Sequence, residues 1–454
     1  MQFPRSALQG ITWPAIPDHN ASMQLAIMQQ LEQSQWWTPE QLQLQQFRQL
    51  AMLLEHASKT VPFYKKYFQG SGYQPGDDLT PENWRCLPLL TRDAVQAAGK
   101  TILSTALPQA HGGTSVYHTV GRTGKHLKTV TTALTDLFWR AFTLRDHLWQ
   151  QRDLSGRLAA IRVDKQGTFP PGGYVGDGWG AATDFIYKTG QSGVFNISTS
   201  LQQQLDWIRK FRPNYLLTYS SNADALARSF IEQGIDLPEL REIRTISETL
   251  PKGIRETCRT AWDVPLVDLY SSEEMGYIAL QCPEHEHYHI QSENVLVEIL
   301  NENNQPCVPG EVGRVVVTSL HNYAMPLVRY DIQDYAEVGE PCSCGRGLPV
   351  IKHILGRERN ILLLPNGEQR WPMFLGYDYF DELGVRQFQF IQRSLEQIEI
   401  HLVREQALNE SEQAYLTRQA QSTFGYPFEI IFKVVDELPR NSNGKFESFL
   451  SEIV

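Results

Sequence analysis

The sequence predicts an α/β protein: a large region of mainly parallel sheet flanked by helices, a β-rich subdomain, and a small α+β domain at the end of the chain. Three observations carry this. Between residues 199 and 270, stretches with helical spacing alternate with short apolar runs, the pattern of βαβ units. After residue 290, the β-rich runs "VLVEIL" and "RVVVTS" are separated by the turn-rich "NENNQPCVPGEVG", which predicts hairpins. From about residue 356 onward, the strand-like runs "RQFQFIQ", "QIEIHLV" and "FEIIFKVV" share the chain with one helix near 409–422.

Taken in order, residues 1–110 read as a helical lead-in region. The stretch 23–70 has Leu44, Phe47, Leu50, Leu53 and Leu54 near a 3.6-residue period, with Pro62 as its stop. Its glutamines read as a solvated face. Residues 111–290 form the α/β sheet region. There "SLQQQLDWIRKF" puts Leu201, Leu205, Ile208 and Phe211 on one helical face behind a Thr199 or Ser200 cap. The buried strand "NYLLTY" follows, then a helix from Asn222 to about Gln233, the strand "IRTIS", a helix over 251–262 and the strand "PLVDLY". In parallel sheets of this kind, sites form where loops leave the carboxyl ends of the strands. Residues 291–355 make the β-rich subdomain, which completes a core over 1–355. Residues 356–454 make the small domain.

Composition narrows the function. The 454 residues give room for at least two folding units. A net charge of −10 opposes a nucleic-acid partner. No apolar run approaches the roughly 20 residues that span a bilayer, and the first twenty residues lack an apolar signal core. The expectation is a soluble, cytoplasmic protein with no membrane partner. Cysteines at 86, 258, 282, 307, 342 and 344 in such a chain are not a disulfide framework.

Two features invite chemistry. "TVGRTGKHLKT", residues 119–129, is either a phosphate loop or a polar hairpin turn. It is not a Walker loop, because His126 follows Gly124-Lys125 and the two glycines are too close. "QCPEHEHYHI" and "EPCSCGRGLP" together offer Cys282, His289, Cys342 and Cys344, a Cys₃His set suited to tetrahedral structural zinc. His285 and His287 are rival ligands.

Five further stretches occur in a telling order: "TISETLP", "DLYSSEEMG", "MPLVRYDIQDYAEV", "HILGRERNILLL" and "DELPRNSNGKFES". With "EHASKTVPFYKKYF" and "CLPLLTRDAV", they resemble the adenylate-forming superfamily, in its phenylacetate–CoA ligase and CapK-related branch, from about residue 45 to 450. Similar Cys/His placement occurs in part of that branch. The resemblance implies ATP- and Mg²⁺-dependent activation of a small carboxylic acid to acyl-AMP, then transfer to a thiol, with coenzyme A as acceptor. Loading of a carrier protein, or a nucleotide-binding member without turnover, are the alternatives.

Residue by residue, the resemblance makes Lys445 the cation at the carboxylate and α-phosphate, and a flexible ammonium suits that task. It makes Glu274 the Mg²⁺ acid, Asp334 the acceptor for the ribose hydroxyls, and Arg357 the arginine near ribose and phosphate, while Arg329 braces its loop. Ser247, Glu248 and Tyr270 fall to the nucleotide, as do Thr119, Gly121, Thr123, Gly124 and Lys125 of the phosphate loop. Tyr215, Tyr219 and Ser247 are candidates to line the acid pocket. Arg359 takes the hinge of a small domain that, in the family, rotates between two poses. Departures from the pattern are Val120 and Arg122 in the loop, Ser271 and Gln333 in place of glycines, and "NGEQRWP" near the thiol tunnel.

Overall fold

Thr38 and Pro39 divide the first helical stretch. Thr38 and Gln41 form a reciprocal capping box with proline in the first turn, so a new helix starts there. Where the sequence predicts one helix over 23–70, the chain forms His19–Ser34 and Pro39–Thr60. Phe47, Leu50, Leu53 and Leu54 are buried on the second helix, but Leu44 is 52% exposed, and Leu42 takes its place in the core. The computed structural model describes residues 3–69, 71–120, 126–164, 167–357, 360–372, 378–441 and 444–453.

Two compact units emerge. The first comprises Met1–Ser155, Asp177–Gln191 and Leu269–His353. Besides the two helices it holds the antiparallel hairpin of Thr114–Val120 with His126–Thr132, and the helix Ala133–Trp149. Val295–Leu300 and Val312–Ser319 pair antiparallel, as do Val312–Ser319 and Tyr330–Val338, so the hairpins expected after residue 290 are present. Tyr288–Ile290 joins Gly276–Gln281 on one side and the strand beginning at Val350 on the other.

The second unit comprises Gly156–Gly176, Ser192–Asp268 and Ile354–Val454. Leu158–Arg162, Gln191–Asn196, Tyr215–Tyr219 and Glu242–Ile246 lie parallel, joined by the helices Leu201–Phe211, Ser220–Gln233 and Ile254–Trp262. Ser200 is the cap of the first of these helices, with Gln203 completing a capping box. Leu205, Ile208, Leu226, Phe230 and Cys258 share one core with Tyr219. The same unit includes a four-stranded sheet in the order Glu429–Val435, Gln397–Val403, Gln387–Gln392, Phe449–Ser451, with the helix Glu410–Phe424. That sheet has its own core around Phe390, Ile400, Leu416 and Phe424.

The strand Leu266–Ser272 changes partner along its length. Leu266–Asp268 pair in parallel with Ile243–Thr245, whereas Leu269–Ser272 pair antiparallel with the strand after them. Among the described residues, no helix is long and apolar enough to cross a membrane.

Candidate active site and metal centre

In the first unit, two acids stand close to the Leu266–Ser272 strand in sequence or in space. Glu274 lies in the turn that follows it, closed by the Met275 N–H donating to Ser272 Oγ at 3.0 Å. Arg92 meets Glu274 Oε1 at 3.5 Å, and the two side chains are 13% and 11% exposed. Arg92 is the first residue of the helix Arg92–Ala98, capped by Thr91. Sequence reasoning quoted "LLTRDAV" without giving Arg92 a role.

Asp334, on the strand Tyr330–Val338, accepts a 2.7 Å hydrogen bond from the Tyr270 hydroxyl. A phenol donating to a carboxylate is charge-assisted, and it fixes one oxygen of Asp334. Arg329 is structural. Its guanidinium donates to both oxygens of Glu298 at 3.1 and 2.9 Å, and to the carbonyls of Arg85 and Leu87, all away from Asp334. Those bonds hold a non-glycine residue at φ +48°.

In the second unit, the loops at the carboxyl ends of the parallel strands converge. Ser247 follows the Glu242–Ile246 strand at φ +71° and is exposed. Gly356, at φ +94°, packs against that loop: a Cβ there would lie 3.0 Å from Thr249 Oγ1 and 3.1 Å from Asn360 Oδ1. The next residue, Arg357, donates its N–H to the same Asn360 oxygen at 2.9 Å. Gly444, at φ +75°, sits against the end of another strand. Its Cβ would meet Ile197 at 3.0 Å and the Tyr219 hydroxyl at 3.3 Å, so glycine permits the approach. Lys445 follows, its backbone closed on Asn441 by N–H donation to Oδ1 at 3.1 Å and by the Asn441 N–H to the Lys445 carbonyl at 2.9 Å.

The two tyrosines proposed for the pocket separate. Tyr219 ends its strand beside Gly444, but Tyr215 begins it and is 5% exposed. Four residues of strand, roughly 13 Å, part them, and both side chains are buried. Glu248 sits in the Ser247 loop with its side chain only 4% exposed. Of the phosphate-loop candidates, Thr119 lies in the first hairpin strand. Gly121, Thr123, Gly124 and Lys125 lie outside the described residues, as does Arg359.

Cys282, His289, Cys342 and Cys344 gather in the first unit with their ligand atoms all within 4.8 Å of one another. The Cys282 and Cys342 sulfurs are 3.9 Å apart, and Cys344 Sγ is 3.4 Å from His289 Nε2. Tetrahedral zinc, with bonds of about 2.3 Å to sulfur and 2.0–2.1 Å to nitrogen, implies separations of roughly 3.8 and 3.5 Å. His289 Nδ1 faces the Leu348 carbonyl at 3.2 Å, which leaves Nε2 to the metal. His285 Nε2 is taken by Ser343 Oγ at 2.9 Å. Burial pushes the Cys342 thiol up to about 12 and raises that of Cys282. At Cys344, burial is outweighed by hydrogen bonds from Arg346, and the thiol is lowered. Burial takes His289 down to about 4, so its ring is neutral at pH 7, the form a metal needs.

Comparison with known proteins accords with this geometry. Residues 377–452 match the CapK C-terminal domain. A phenylacetate–coenzyme A ligase of Thermus thermophilus is 30% identical over 36% of this chain and 38% of its own length. One from Pseudomonas putida is 27% identical over 80% of this chain and 79% of its own. A 2-hydroxyisobutyryl-CoA ligase in complex with an acyl-AMP superimposes with a TM-score of 0.72 at 15% identity, covering 93% of this chain and 92% of that one. The chain shares the fold of that CoA ligase. Over most of its length the chain is similar to phenylacetate–coenzyme A ligases, and its C-terminal segment to the CapK domain.

Proposed function

We propose that this protein is an AMP-forming acid–thiol ligase that activates a small carboxylic acid with ATP and passes the acyl group to coenzyme A. In the first step a carboxylate oxygen of the acid bonds to the α-phosphorus of ATP. The bond from that phosphorus to the bridging oxygen breaks, and pyrophosphate departs with the electron pair. In the second step the thiol sulfur, its proton lost, attacks the acyl carbonyl, and AMP leaves as the C–O bond breaks.

The observation that supports this best is the close approach of Gly444 to Ile197 and Tyr219, at the carboxyl ends of two parallel strands. Sheets of this kind bind ligands at such strand ends, which supports assigning Lys445, the next residue, to the chemistry. The Lys445 ammonium stabilises the charge that builds between the carboxylate and the α-phosphate. Asp334, held by Tyr270, accepts from the ribose hydroxyls, and Arg357 supports the same nucleotide. Glu274, a hard oxygen donor, would hold Mg²⁺, which would supply positive charge to the phosphates. Cys282, His289, Cys342 and Cys344 hold a structural zinc. Four protein ligands leave that ion no open position for catalysis.

The test is ATP–pyrophosphate exchange across aryl, arylacetic, fatty and amino acids, with thiol consumption measured for the acids that respond. Lys445→Ala should lower exchange by about 10²–10³-fold, the scale set by removing one preorganised charge-stabilising group. Background exchange with every acid, or an unchanged Lys445→Ala enzyme, would overturn the proposal.

A further inference from the structure

Glu248 occupies a position that the sequence assigns to the nucleotide, yet both its oxygens are turned to the protein. Oε2 accepts from the Ser221 N–H at 2.8 Å and from Ser220 Oγ at 3.2 Å. Oε1 accepts from the Phe446 N–H at 2.5 Å and faces Arg440 Nη1 at 3.5 Å. Two backbone N–H groups therefore donate to an acceptor-only group whose side chain is 4% exposed, with the Arg440 guanidinium beside it and the Ser220 hydroxyl shared with the Thr249 carbonyl at 3.0 Å.

The arrangement ties two elements together. Ser220 and Ser221 open the helix Ser220–Gln233, whose own cap residue, Tyr219, makes no side-chain cap bond. Glu248 supplies the missing acceptor from a neighbouring loop, and its charge is favoured by the positive end of the helix. Arg440 and Phe446 stand on either side of Gly444-Lys445. Arg440 Nη1 also donates to Ser221 Oγ at 2.9 Å and to the Gly444 carbonyl at 3.0 Å. The backbone on each side of Lys445 is thus fastened to one carboxylate, which is itself anchored on the start of a 14-residue helix.

We propose that Glu248 is a positioning residue for Lys445: it clasps Arg440 and Phe446 to the end of the parallel sheet and contributes nothing directly to nucleotide binding. This rests on the adenylation reading of Lys445. A glutamine at 248 keeps the shape but removes the charge. It presents a donor at one end where the protein also presents donors, so one side of the clasp must open. The consequence falls on the step Lys445 serves and not on ATP affinity.

The experiment compares Glu248→Gln, Arg440→Gln, Lys445→Ala and the double variant Glu248→Gln/Lys445→Ala in the full-length enzyme, using the acid that supports the strongest exchange. Glu248→Gln should lower the maximal exchange rate roughly 10- to 100-fold, the worth of a hydrogen bond to a charged group, with ATP Kd within twofold of the parent. Arg440→Gln should act in the same direction. The double variant should be no slower than Lys445→Ala alone, because the clasp has nothing left to position. Amide exchange at Phe446 should accelerate in Glu248→Gln. An ATP Kd that weakens in step with the rate would make Glu248 a nucleotide ligand and overturn the proposal. So would multiplicative losses in the double variant, or unchanged Phe446 exchange, which would leave Glu248 only a helix cap. An unaffected Lys445→Ala enzyme would overturn the function reading itself, while Phe446 amide exchange still reports on the clasp.

Discussion

Cys342→Ser removes one of the four proposed zinc ligands that would join the 282–289 turn to the 342–344 turn, and its cost follows from the chain between them. Cys282 and Cys342 are 60 residues apart. A cross-link that closes a loop of that length stabilises a fold by about 4 kcal/mol in the chain-entropy treatment. For a unit of this size, each kcal/mol moves the melting midpoint by roughly 2 °C. Cys342→Ser should therefore lower the first melting transition by about 8 °C. Elemental analysis should find about one zinc per chain in the parent protein and almost none in the variant. His285→Ala should change neither quantity, because that ring is engaged by Ser343 and stands outside the four-atom cluster. Stripping the metal with a chelator should reproduce the Cys342→Ser transition in the parent. A parent protein purified without zinc, or a Cys342→Ser variant that keeps its metal and its melting point, would refute the assignment.

Two further outcomes are expected. Tyr270→Phe removes the donor that fixes Asp334 and should weaken ATP binding by about tenfold, as read by calorimetry. An unchanged affinity would take Tyr270 out of the ribose site. His321 stacks on Phe138, faces the Glu293 carbonyl at 2.8 Å, and is lowered to about 4 by burial. Its ordinary value is near 6.5, so the unfolded chain binds the extra proton first. The stability it contributes is present above pH 6.5 and is lost as pH falls toward 4. His321→Phe should flatten the denaturant midpoint across that window, by an effect on the order of 3 kcal/mol at its lower end. An equally steep acid limb in the variant would place the titration elsewhere.

What the sequence disclosed depended on whether a signal was local. The parallel-sheet order from Leu201 to Leu266 was legible because each helix carries its own apolar period and each strand its own stop. The gathering of Cys282 and His289 with Cys342 and Cys344 was legible because few other residue types suit zinc. The break at Thr38 was missed although its capping box is local, since the leucine period runs on around it and took precedence. Leu44 was misplaced for the same reason: once the helix restarts, the stripe is reset, and Leu42 turns inward instead. Arg92 could not be found by period or motif. Its meaning lies in Glu274, 182 residues away.

Glu248 and Glu274 show where residue type stops being informative. Each is an acid just beyond a sheet strand, each stands in a motif of the family, and each was assigned to the nucleotide or its metal. Their surroundings divide them. Among the described residues, Glu274 faces one long contact, from Arg92 at 3.5 Å, which leaves lone pairs to accept a cation. Glu248 meets two backbone N–H donors, a hydroxyl shared with the Thr249 carbonyl and the Arg440 guanidinium, with Phe446 and Arg440 flanking Lys445. A carboxylate saturated by its own protein is a poor ligand for anything else, since every new bond would displace an existing one and leave a buried donor unpaired. The same saturation makes it a good fastening. One acid serves by what it can still accept and the other by what it has already accepted, and only the donors around them, drawn from distant parts of the chain, tell the two apart.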